Sequence, residues 1–134
     1  MEFTNLELKD KEVLVLEDNI VAKRAVQRAL HMIGIKKVHM ATCVDDTKNI
    51  LRKNRVDLII SDIHLEEDNG LDFLKSIKES SRYKKLPFII VTSDIAREEF
   101  DKALQLGVSD YILKPVTPEI LEDKILNIFE VQRP

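Results

Sequence analysis

Five short apolar runs, each followed by a segment of helical spacing, constrain this chain more than any other feature. The runs are Val13–Leu16, Val38–Ala41, Leu58–Ser61, Phe88–Thr92 and Tyr111–Leu113, and branched side chains dominate them. They are nearly continuous rather than alternating, which suits strands covered on both faces. Between them, Ile20–Met32 carries Val21, Ala25, Ala29 and Met32 as one stripe. Asp45–Lys53 reads as a short second helix, and Leu71–Lys78 gathers Leu71, Leu74 and Ile77. Arg97–Leu106 puts Phe100, Ala103 and Leu104 on one side and stops at Gly107, a C-terminal glycine. Pro118–Phe129 opens with Thr117 as N-cap and proline in the first turn. A strand-helix unit repeated five times predicts an α/β fold: an open parallel sheet with helices on both faces and right-handed crossovers. Ligands of such sheets sit beyond the carboxyl ends of the strands, near the topological switch point.

At 134 residues the chain is the size of one domain with a single proper core. No repeat, low-complexity tract or linker divides it. Residues 1–11 are polar and without period, so they are expected to form a loose lead-in, with the domain at 12–134. The helix running to Phe129–Pro134 is expected to be a finished C-terminus, as in a stand-alone domain. A formal charge of −3, with acids and bases interleaved, argues against a nucleic-acid footprint. No apolar run reaches membrane-span length and no signal-peptide core is visible, so the chain reads as cytoplasmic with no membrane partner. A lone Cys43 cannot support a disulfide framework or a zinc site, and is expected as a small core or helix-entry residue.

The strand ends carry the chemistry. The first strand ends in Glu17-Asp18, the third in Asp62, the fourth in Thr92-Ser93, and the fifth leads into Lys114-Pro115. Each has an ordinary explanation: Asp18 and Asn19 as helix caps, Thr92 as a turn cap, Lys114 as a solvated lysine. Their joint placement at one sheet edge is harder to dismiss, because clustered carboxylates repel unless a cation neutralises them. Oxygen-only donors of this type suit a hard divalent ion, Mg²⁺ first.

These residues resemble the receiver domain of two-component response regulators. The stretches that carry the resemblance are LVLEDN, LIISDIHLEEDNG, IIVTSD and YILKPV, with Gly70 eight residues beyond Asp62. They run in the family's order along about Lys11 to Phe129. The resemblance implies a flavodoxin-like (βα)5 doubly wound sheet of strand order 2-1-3-4-5. It implies that Asp62 is the phosphoacceptor, forming an acyl phosphate by nucleophilic attack, in a regulatory domain that promotes its own phosphorylation and dephosphorylation rather than acting as an enzyme on other substrates. Asp18 and Asp62 then ligate Mg²⁺ (Mn²⁺ being the alternative), Glu17 holds a metal-bound water, and the His64 backbone carbonyl adds a ligand. Lys114 contacts a phosphoryl oxygen, and Lys114-Pro115 is expected to be cis. Thr92 and Tyr111 form the switch pair: the Thr92 hydroxyl bonds the phosphoryl group and the Tyr111 ring turns inward, remodelling the surface of the fourth helix, fifth strand and fifth helix. The phosphodonor is a sensor histidine kinase or a histidine phosphotransfer protein, and the output is binding to a downstream protein target.

Several residues depart from the common pattern. Glu17 replaces the frequent aspartate and still reaches a metal water. Glu66 stands where proline is common, and Glu66–Asp68 reads as a solvated loop. His64 and Asp94, at the mouth of the site, are expected to set the lifetime of phospho-Asp62 without affecting its formation. His31, at a helix end, and His39 are expected to be structural, without a partner pattern. Phe100 is either a core contact or an exposed anchor on the fourth-helix face. The alternatives are a Mg²⁺-dependent aspartyl phosphatase, a flavin or nucleotide binder, and an unphosphorylated interaction module. The phosphatase lacks its second aspartate, since His64 stands there, and the nucleotide binder lacks a glycine-rich loop after the first strand.

Overall fold

The computed structural model describes residues 8–129. Five strands, β1 (Glu12–Leu16), β2 (Lys37–Ala41), β3 (Leu58–Ser61), β4 (Phe88–Thr92) and β5 (Asp110–Leu113), alternate with five helices. These are α1 (Ile20–Met32), α2 (Val44–Lys53), α3 (Gly70–Glu79), α4 (Arg97–Gln105) and α5 (Pro118–Ile128). All strand pairs are parallel and the order is β2-β1-β3-β4-β5, so the order reverses between β1 and β3. The expected fold class is the observed one, and each expected element lies within a residue or so of its observed bounds.

Strand parity divides the core into two layers, because successive side chains point to opposite faces. Val13, Val15, Leu58, Ile60, Ile89 and Val91 pack against α1 and α5 through Leu30, Leu121 and Ile125. Leu14, Leu16, Ile59, Phe88 and Ile90 face α2, α3 and α4 through Leu51, Leu74, Ile77 and Ala103. The central strands β1, β3 and β4 are thus apolar on both sides, which is why they read as unbroken runs.

Four expectations need correction. The stripe on α1 is misphased: Val26, Ala29 and Leu30 are buried, while Val21 is 74% exposed and Met32 is also exposed. On α4, Ala103 is buried but Leu104 is 54% exposed and Phe100 only half-buried. The lead-in is not loose where it is described, since Leu8 sits fully buried in the α1/α5 layer and its carbonyl accepts from Lys11 N–H at 3.1 Å. His39 does have a partner, with Nε2 3.1 Å from Glu12 Oε1. Residues 1–7 of the lead-in and the expected C-terminus at 130–134 lie outside the described residues.

Candidate functional site

The connections at the carboxyl edge build a pocket from four strand ends, those of β1, β3, β4 and β5. After β1 the chain leaves as Glu17-Asp18, and Asn19 caps α1 by accepting from Ala22 N–H at 2.9 Å. After β3 it leaves as Asp62, runs out through an exposed loop, and returns through a His64↔Asn69 bridge to Gly70. Asn69 caps α3, accepting from Leu71 N–H at 2.8 Å. Asp68 is not simply solvated, because its Oδ2 accepts from Val44 N–H at 2.9 Å. It supplies the cap that Cys43, at the N-cap of α2, makes no side-chain bond to provide.

Glu17, Asp18, Asp62, His64, Ser93 and Lys114 line one pocket, rimmed on one side by Ile20, Val21 and Val116. At its floor, Lys114 Nζ donates to Asp62 Oδ2 at 2.8 Å and to Glu17 Oε1. The other Asp62 oxygen, Oδ1, accepts from His64 N–H at 3.0 Å. Asp62 is 7% and Glu17 3% exposed, so both carboxylates are buried beside the lysine that bridges them. Asp18 Oδ2 accepts from Glu66 N–H at 2.6 Å, tying the two carboxylate-bearing loops together. The Lys114–Pro115 peptide is cis.

Burial pushes the Glu17 carboxyl above its ordinary value and the nearby Asp62 charge adds to this, against the bonds from Lys114 and Asn19 N–H. Burial alone works to lower Lys114, but its bonds to Asp62 and Glu17 outweigh it and hold the ammonium above its usual value. One cation facing two anions in a partly dehydrated pocket accounts for both directions.

The two residues expected to form the switch stand apart from this floor. Thr92 is fully buried and its Oγ1 donates to the Asp94 carbonyl at 2.9 Å, so Asp94 contributes main chain here while its side chain lies exposed. Tyr111 lies at the surface, packed edge-on against Phe100 with ring centroids 5.0 Å apart and planes at 82°. Phe100 is therefore a surface contact of α4 with β5. The His64 ring turns away from Asp62, with Nε2 2.9 Å from Glu99 Oε2 on α4. Glu99 went unmarked in the sequence. Its other oxygen accepts from Ala96 N–H at 3.0 Å, half of a capping box whose N-cap alanine has no oxygen to advertise it. Ala96 N–H first and the His64 ring second hold the Glu99 carboxyl below its ordinary value.

The fold and the pocket define a class: a small doubly wound α/β domain presenting a lysine-bridged carboxylate at its switch point. The chain belongs to the response regulator receiver domain family, which it matches over residues 13–126. It is 31% identical over 118 residues to a chemotaxis protein CheY homolog of Campylobacter jejuni, across 87% of this chain and 91% of that one. It is 32% identical over 115 residues to chemotaxis protein CheY1 of Helicobacter pylori, across 85% and 93%. Among solved structures, chemotaxis response regulator CheY4 of Vibrio cholerae superposes with a TM-score of 0.78 at 26% identity, covering 88% of this chain and 98% of that one. A response regulator receiver protein from Pseudomonas putida gives 0.80 at 30% identity, covering 87% and 96%. The chain is thus a receiver domain of two-component signalling, a phosphoacceptor switch, and the phosphatase alternative is not favoured. Among the described residues no helix is long and apolar enough to cross a membrane.

Proposed function

We propose that Asp62 is the phosphoacceptor and that the pocket around it promotes transfer from a phosphohistidine. The observation that carries this reading is the buried Asp62 carboxylate held between Lys114 Nζ at 2.8 Å and His64 N–H at 3.0 Å, at the floor of an open pocket. In the transfer, an Asp62 oxygen attacks phosphorus, an O–P bond forms, the N–P bond to the donor histidine breaks, and the released imidazole nitrogen keeps the electron pair and is protonated from solvent. Lys114 follows the incoming oxygens as a compact cation on a flexible stem.

Glu17, Asp18 and Asp62 offer hard oxygen donors on one pocket wall. Among the described residues no three acidic, histidine or cysteine side chains form a metal cage. A site with one or two direct carboxylates, a main-chain carbonyl and retained waters is nevertheless the partial shell that Mg²⁺ accepts, so the residues fit the ion. Asp18, Asp62 and the His64 carbonyl would hold it directly, and Glu17 would hold it through water. Bound there, Mg²⁺ (or Mn²⁺) would offset the charge that accumulates on the phosphoryl oxygens.

Thr92 Oγ1 then exchanges its Asp94 carbonyl for a phosphoryl oxygen, and Tyr111 leaves Phe100 and turns inward, changing the α4–β5–α5 surface that a downstream protein target reads. The donor is a cytoplasmic histidine kinase or phosphotransfer protein. His64, which lines the pocket, and Asp94, one residue past the pocket-lining Ser93, set the lifetime of the acyl phosphate, and equal half-lives for wild type, His64→Ala and Asp94→Ala would refute that part. The central test is intact mass after incubation with a small phosphodonor. One phosphate is expected on the wild type only with Mg²⁺, and none on Asp62→Asn. A phosphorylated Asp62→Asn, or an unmodified wild type with every donor, overturns the assignment.

A further inference from the structure

A side-chain contact joins the phosphoacceptor loop to α4. His64 is two residues past Asp62, lines the same pocket, and donates its backbone N–H to the carboxylate expected to be phosphorylated. Its ring reaches outward to Glu99 Oε2 at 2.9 Å, and Glu99 stands in the first turn of α4. The other oxygen of Glu99 is fixed by Ala96 N–H, so the carboxylate is not free to follow the ring. Main chain at Asp62, ring at the pocket mouth and helix terminus are therefore connected in series.

We propose that Glu99 is a positioning residue that holds the His64 ring off Asp62, so that α4 senses the state of Asp62 through His64 as well as through Thr92. The coupling rests on Asp62 being the phosphoacceptor. The contact is half-exposed on the histidine side, at 51%, and 26% exposed on the glutamate side. Pairs of this kind are weak, which suits a contact that must break. A phosphoryl group on Asp62 places anionic oxygens within the pocket that the His64 ring already borders, and they compete with Glu99 for its N–H. When the ring moves to them, the first turn of α4 loses its tie to the loop while its Ala96 cap stays intact.

Four proteins test this: wild type, His64→Ala, Glu99→Ala and the double variant. Before phosphorylation, His64→Ala should speed amide hydrogen exchange in α4 about two- to fivefold, the range that loss of one exposed pair allows. Phosphorylated wild type should approach the exchange of unphosphorylated His64→Ala. The decay rate of phospho-Asp62, followed by intact mass, should change at least about twofold in Glu99→Ala, and Glu99→Ala should add nothing to it when His64 is already alanine. If Glu99 only caps α4, its substitution changes exchange and decay by the same factor with or without His64, and the proposal falls. Phosphate uptake by wild type with such independent effects overturns the coupling alone. A wild type that takes up no phosphate overturns the Asp62 reading and the coupling with it.

Discussion

An ideal Cβ on Gly70 lies 2.0 Å from the Asp62 carbonyl oxygen and 2.7 Å from Ile63 Cα. Both are backbone atoms, so no side chain can swing aside to admit it. The glycine lets the loop after β3 fold back on itself, with Gly70 N–H donating to the Ile63 carbonyl at 2.8 Å. Gly70→Ala should therefore cost about 1–3 kcal/mol, the range for overpacking a tight site, and slow phosphate uptake by shifting Asp62, the proposed phosphoacceptor. Urea midpoints and uptake rates unchanged from wild type would remove the steric account. Lys114 raises a second residue-level question, because it is the cation between Glu17 and Asp62. Lys114→Met leaves two buried carboxylates facing each other and should lose about 1–3 kcal/mol near neutrality. Its folded-state value is raised above the ordinary 10.5, so the lysine's contribution is complete below 10.5 and is lost as pH rises through the folded value. Glu17 is raised above 4.5, so it favours the folded state when protonated, and that contribution is lost as pH rises from 4.5 through its folded value. The gap between wild type and Lys114→Met in urea unfolding should be widest between these windows and narrow on both sides. A gap independent of pH would show that the loss is packing rather than charge.

Helix α1 has 13 residues and spans about 20 Å, whereas the five-residue β1 beneath it spans about 17 Å. The helix therefore overhangs the sheet. Val21 borders the open pocket at one end and Met32 is exposed at the other, while Val26, Ala29 and Leu30 take the covered middle. Leu30→Ala should cost about 2–5 kcal/mol and Val21→Ala less than about 0.5 kcal/mol. Equal costs in chemical denaturation would put the buried face back where the sequence stripe placed it. Elements of this kind mark the limit of what a single sequence displays. The central strands β1, β3 and β4 were legible because burial on both faces makes them apolar throughout, and the caps Asn19 and Thr117 because they act locally. The phase of α1 was not, since Val21 and Ala25 are apolar by type yet no element among the described residues covers them. Contacts between residues far apart in sequence were equally hidden. Asp68 capping α2 and His64 with Glu99 depend on loop paths, and His39 with Glu12 on the β1–β2 register, none of which a spacing rule encodes.

Across the whole molecule, charge is unevenly shared between the two edges of the sheet. The carboxyl edge holds Glu17, Asp18, Asp62 and the Glu66–Asp68 run against Lys114, while Lys36, Arg82, Lys84 and Lys85 crowd the loops at the opposite edge. That imbalance was visible in the sequence only once the strand order was known, because it comes from five separate loops. It leaves the folded state carrying carboxylate repulsion that the unfolded chain does not, and Lys114 offsets part of it. A divalent cation that binds the folded site alone must therefore stabilise the entire domain by linkage, by about 1.4 kcal/mol at tenfold its dissociation constant. For a domain of this size that is a rise of about 4–7 °C in Tm. Asp18→Asn separates the two effects. It removes one like charge from the edge and keeps an oxygen able to accept from Glu66 N–H, so its Tm without Mg²⁺ should match or exceed that of wild type. Its response to Mg²⁺ should be flat, because a proposed direct ligand is gone. Thermal unfolding of both proteins across a Mg²⁺ titration, at constant ionic strength to exclude simple screening, distinguishes the cases. A wild type whose Tm ignores Mg²⁺, or an Asp18→Asn that rises in parallel with it, would mean that this acidic edge is neutralised by Lys114 and water alone.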